Sequence, residues 1–77
     1  MQHDVTIIDS IKTEYNTLFV KIKGYDSNGD RPFEGEVKFI GGRPYGDLLH
    51  HKRSILSPEC REYVIEKLMS KYLREEF

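Results

Sequence analysis

The chain contains one cysteine and no tryptophan, and no apolar run in it is longer than three residues. A single thiol closes no internal disulfide. Without a long apolar stretch there is neither the core of a signal peptide nor a membrane span, so a cytoplasmic, non-membrane setting is expected. Charge of one sign is missing as well: 12 Lys and Arg stand against 13 Asp and Glu, a net charge of -1. Such a chain has no overall field to draw in nucleic acid, a membrane or an acidic substrate, and any such binding needs a local patch. No phosphate-binding, metal or nucleophile signature stands out, so neither a cofactor nor catalysis is implied. Repeats, linkers and low-complexity tracts are also missing.

With 77 residues the chain makes one domain, which buries only about 60 to 65% of its unfolded surface. A core of that size supplies about 3 to 5 kcal/mol, so association with a second copy or another protein is expected to add to it.

What is present is a hairpin. Leu18, Val20 and Ile22 point to one face of a strand, and Phe19, Lys21, Lys23 and Tyr25 to the other. Asp26 to Arg31 is turn chemistry. From Pro32 on, Phe33, Gly35, Val37 and Phe39 share a face, with Glu34, Glu36, Lys38 and Ile40 opposite. Setting Tyr25 against Pro32 places Lys23 against Glu34, Lys21 against Glu36, Val20 against Val37 and Leu18 against Phe39. Apolar pattern and charge pattern select that register independently, and each cross-strand pair contributes about 0.2 to 1 kcal/mol.

Upstream, Val5, Ile7 and Ile11 alternate with Thr6, Ser10 and Lys12 as a first strand, joined by a short turn at Glu14, Tyr15 and Asn16. A turn of two or four residues keeps Ile7 and Ile11 on the Leu18 face. Asp9 then falls on the apolar side. There it is either an inward charge that blunts an edge strand or a functional carboxylate.

The segment after Ile40 is rich in glycine, with Asp47 placed to cap a helical turn, Leu48 and Leu49 folding back on the sheet, and His50, His51, Lys52 and Arg53 facing solvent. Ser57 caps a final helix whose first residue is Pro58. Cys60, Val64, Leu68 and Tyr72 form one line along it; Ile65, Met69, Leu73 and Phe77 form the next. That apolar sector is wider than one small sheet requires. Ile65 and Leu68 suit the intramolecular contact. Met69, Leu73 and Phe77 form a flank for a protein interface, or are covered by the preceding loop.

Other candidate sites are weaker. Asp26, Asn28 and Asp30 have the spacing of the first ligands of a calcium loop, but Arg31 and Val37 occupy the positions of its glycine and glutamate. Cys60, at the third helical position, would be an activated thiolate if His50 or His51 folded back near it, and otherwise is a small core residue. His50 and His51 diverge too far to grip one metal ion without help from Asp47, His3 or Cys60. Arg43, His50, His51, Lys52 and Arg53 are the residues a nucleic acid would contact.

The resulting expectation is an α+β domain over residues 1–77: a three-stranded antiparallel meander (about 4–12, 17–25 and 32–40), a loop over 41–56, and one C-terminal helix over about 58–76 packed on one face. The function expected is non-catalytic protein binding, as an adaptor, inhibitor or regulatory subunit, with a homodimer through Met69, Leu73 and Phe77. The alternatives are a nucleic-acid-binding protein using the 43–53 loop and, third, a thiol enzyme at Cys60.

Overall fold

The computed structural model describes residues 3–13 and 15–77. Its elements are strands β1 (Asp4–Lys12), β2 (Thr17–Asp26), β3 (Arg31–Ile40) and β4 (Arg43–Tyr45), a turn of 3₁₀ helix at Asp47–Leu49, and helix α1 (Pro58–Leu73). The strands form one antiparallel sheet in the order β1-β2-β3-β4. One face carries α1, and the fold is α+β.

The β2–β3 ladder has the register that charge and hydrophobicity select: Tyr25 opposite Pro32, Lys23 opposite Glu34, Lys21 opposite Glu36, Val20 opposite Val37 and Leu18 opposite Phe39. The inward positions Leu18, Val20, Ile22, Phe33, Val37 and Phe39 are buried with Leu48, Leu56, Cys60, Val64 and Leu68 of the overlying segment. At the far end of the helix the Phe39 ring stacks on Tyr72 at 4.9 Å and tilts against Phe77 at 5.7 Å. Gly35 is the one inward position of β3 without a side chain, and Leu48 fills that space.

Three expectations need correction. The first concerns the parity of β1. Thr13 N–H donates to the Thr17 carbonyl at 2.8 Å and Lys12 pairs with Leu18, so the turn between the two strands holds an odd number of residues. Asn16 closes it in the left-handed region with φ 54°; Glu14, also assigned to this turn, lies outside the described residues. An odd turn reverses the phase, so Ile11 pairs with Phe19 and Asp9 with Lys21, both on the uncovered face. A bulge between Ile7 and Asp9 then reverses it again and returns Ile7 to Ile22 and the core. Asp9 is therefore no inward charge. Its carboxylate accepts the Ser10 N–H at 2.8 Å at the bulge.

The second correction is a fourth strand. Gly41 and Gly42, with φ 59° and 84°, form a two-residue turn of the type only glycine adopts cheaply twice in succession, and Arg43 pairs with Ile40 across it. Pro44 is tolerated because β4 is an edge. The third concerns the termini of the helical pieces. Asp47 makes no cap, since Gly46 holds that position without a side-chain bond. α1 ends at Leu73 rather than near Glu76, because Glu75 turns left-handed (φ 57°) and the last N–H groups bond back to Ser70, Lys71 and Tyr72.

Gly24 marks where β1 lies tightest against β2: a Cβ there would run into the Asp4 carbonyl oxygen and the Phe33 ring. Gly24→Ala is expected to destabilise the fold by about 2 to 3 kcal/mol, within the usual range for overpacking, read as a lower urea midpoint with an unchanged slope.

Candidate functional site

The inward series of β2 runs Leu18, Val20, Ile22 and Gly24, and its next member is Asp26. That residue is fully buried, the single buried charged residue among those described. A carboxylate in such a place needs hydrogen bonds to each oxygen. Its Oδ1 accepts from the N–H groups of Asn28 at 3.0 Å and Gly29 at 3.2 Å and from the Ser57 hydroxyl at 2.9 Å. Oδ2 accepts from Ser57 N–H at 2.7 Å. Ser57 is the N-cap of α1, where its hydroxyl accepts from Cys60 N–H at 3.3 Å. One side chain thus ties the β2–β3 turn to the start of the helix. Burial alone would push the Asp26 carboxyl up; the bonds from Ser57, Gly29 and Asn28 outweigh it and hold it below the usual carboxylate range.

Two more chemically active groups meet at this corner. His3, just before β1, accepts the Ser27 N–H on Nδ1 at 3.1 Å, and Nδ1 lies 3.6 Å from Asp26 Oδ1. Because a backbone N–H only donates, Nδ1 is unprotonated in this arrangement. The imidazole also tilts against the Tyr63 ring at 5.8 Å. Cys60 is fully buried. Burial, and then the charge of Asp26, push its thiol up to about 11. A group at that value is a thiol at neutral pH, the opposite of an activated nucleophile. The imidazole that reaches it is His3; His50 and His51 stay exposed and stack on each other at 5.1 Å. Clefts of about 430 and 500 Å³ open on the surface, and neither of these is lined by His3, Asp26 or Cys60.

The other sequence candidates disperse. Asp26 turns inward, Asn28 donates to Glu59 at 2.8 Å, and Asp30 accepts from the Tyr25 hydroxyl, so the three form no cation cage. Arg43, His50, His51, Lys52 and Arg53 are all exposed. Asp47 lies 3.9 Å from the Arg53 guanidinium and offsets part of that patch. On the helix flank, Met69 is half-buried against the core, Phe77 packs on Phe39, and Leu73 is 74% exposed.

The uncovered face of the sheet holds the larger apolar surface. Ile11, Phe19, Lys38 and Tyr45 form one row across all four strands. Ile11 is 57% exposed and Tyr45 48%, with Ile40 beside them at 45%. The rest of that face is a charge ladder, with Asp9, Lys21 and Glu36 in one row and Lys23 and Glu34 in the next.

No family model matches the chain, and neither a curated protein nor a solved structure matches it.

Sequence reasoning missed the Asp26 corner, although parity carried the signal. Asp26 continues the inward series of β2, and His3 precedes Val5 and Ile7 in the inward series of β1. The Asp26 bonds lead to a pH prediction. A folded-state carboxyl held below its unfolded value of about 3.9 stabilises the fold above that pH and loses the contribution as pH falls through the folded value. Asp26→Asn should cost about 2 to 4 kcal/mol near neutral pH, since it removes the charge and leaves buried donors short of an acceptor. In urea unfolding followed into acid, the gap between parent and variant should narrow below about pH 4. Parallel curves would contradict the assignment.

Proposed function

We propose that the protein is a non-catalytic protein-binding module that self-associates, and that the surface it uses is the uncovered face of the sheet. The observation that carries this reading is the Ile11, Phe19 and Tyr45 row with Ile40, an apolar strip left half-exposed in a chain whose core is small. Outward-facing charges around the strip are Asp4, Asp9, Glu34 and Glu36 against Lys21, Lys23, Lys38 and Arg43, a balanced set. A balanced face does not repel its own copy, and a two-fold axis would stack two sheets into a sandwich. The helix flank supports the reading less, because Phe77 and Met69 are already engaged by the core and Leu73 projects alone. A buried, protonated thiol at Cys60 favours binding over nucleophilic catalysis.

Light scattering after gel filtration at tens of micromolar tests this. The parent should run as a dimer, while Ile11→Lys and Tyr45→Glu should run as folded monomers, since each places a charge inside the interface. Leu73→Glu should remain a dimer. If instead Leu73→Glu alone dissociates the protein, the interface lies on the helix flank; a monomeric parent removes self-association.

A further inference from the structure

We propose that His3, Asp26 and Cys60 together bind one divalent transition-metal ion of the zinc class. This goes beyond the binding reading and is independent of it. Three separate elements deliver the donors: the lead into β1 brings an imidazole, the end of β2 a carboxylate, and the first turn of α1 a thiol. Among the described residues no other group of three metal-ligating side chains converges in this way. The ligand atoms all lie within 4.8 Å of one another, and the His3 Nδ1 to Asp26 Oδ1 separation is 3.6 Å.

Zinc bonds of about 2.0 to 2.3 Å in a tetrahedron set neighbouring ligand atoms about 3.3 to 3.8 Å apart. The imidazole stands at that spacing from Oδ1, and with all three ligand atoms within 4.8 Å of one another the remaining separations have about 1 Å or less to close. Asp26 offers one open oxygen, and since it is not the Oδ1 that lies 3.6 Å from His3, the imidazole must shift toward it on binding. Oδ1 is saturated by three hydrogen bonds, but Oδ2 takes only Ser57 N–H and keeps a lone pair. The bonds that fix the turn and helix cap would hold this ligand in place, as the outer shell of a metal site does. His3 presents Nδ1 unprotonated, the form a metal requires, and the ion would replace the Ser27 N–H there.

The donor set selects the class of ion. Calcium and magnesium take oxygen ligands, and copper(I) prefers an all-soft set, whereas one nitrogen, one oxygen and one sulfur suit zinc or cobalt(II). Charge agrees: a carboxylate, a thiolate and a neutral imidazole around a dication sum to zero, the arrangement a buried corner tolerates. The thiol and the carboxylate, which repel when both are ionised, become joint ligands. Binding deprotonates Cys60: the S–H bond breaks, an S–metal bond forms, and one proton leaves to solvent for each ion bound. The exit lies beside His3, whose side chain is 15% exposed, and the fourth position of the ion falls to water on that side.

Cobalt(II) is the probe, because a thiolate ligand gives a near-ultraviolet charge-transfer band that surface histidines cannot produce. Titration of the full chain near neutral pH should give this band, saturating at one equivalent, with one proton released per ion. Cys60→Ala should abolish the band, and His3→Ala should weaken binding at least tenfold. Replacing both His50 and His51 by alanine should leave it unchanged. Zinc should displace the cobalt, and should raise the Tm of the parent but not of Cys60→Ala. Failure of the parent to develop the band at stoichiometric cobalt overturns the proposal, as does a band indifferent to His3→Ala.

Discussion

A buried carboxylate is costly unless its oxygens are matched, and the fold is arranged so that those of Asp26 are. Four donors reach it from two places far apart in sequence, the 27–29 turn and Ser57. Because Ser57 also caps α1, the position of the helix start over the sheet follows from this one side chain. The direction of the helix then follows from the apolar line Cys60, Val64 and Leu68 over β2 and β3, and its far end is held by the Phe39, Tyr72 and Phe77 rings. Polar fastening at one end and aromatic packing at the other divide the work. The polar end contributes direction and uniqueness, while apolar burial contributes most of the free energy.

Two local irregularities in β1 shape the uncovered face of the sheet. An odd-length turn between β1 and β2 and a bulge between Ile7 and Asp9 each reverse the phase of β1, and together they cancel for Val5 and Ile7. Between them lies a short segment in inverted phase, which moves Ile11 outward beside Phe19 and sets Asp9 against Lys21. The same device completes a three-strand charge row and builds the apolar strip on the uncovered face. Edge strands with bulges resist uncontrolled pairing, in keeping with the proposal that contact is made through the face of the sheet and not its edge.

Much of this architecture was legible in the residues. The β2–β3 register was readable because hydrophobicity and charge are independent constraints that agree at Lys21, Lys23, Glu34 and Glu36. The start of α1 was readable from Ser57 and Pro58, whose cap and first-turn roles are local. β4 was not, since three residues including a proline carry no periodicity, although the paired glycines before it marked a hairpin turn. The phase of β1 depended on a turn length that composition does not determine, and an aspartate on the apolar side was the trace of the slip. The corner of His3, Asp26 and Cys60 was hardest, because its members meet only once the helix start is placed over the end of β2. Asp26 read as a turn residue is correct as far as it goes; what local chemistry could not show is that its second partner lies at Ser57.

Native-state hydrogen exchange at the amides of Asn28, Gly29 and Ser57 tests most directly whether Asp26 organises the fold. These amides lie in a turn and a helix cap, where exchange is ordinarily fast through local opening. If their bonds to Asp26 hold the structure together, they should exchange only with global unfolding, with the same protection as the amides of Val20 and Ile22 at the centre of β2. Rapid exchange at all three while Val20 and Ile22 remain protected would show that the corner opens without cost to the rest, and would contradict the account.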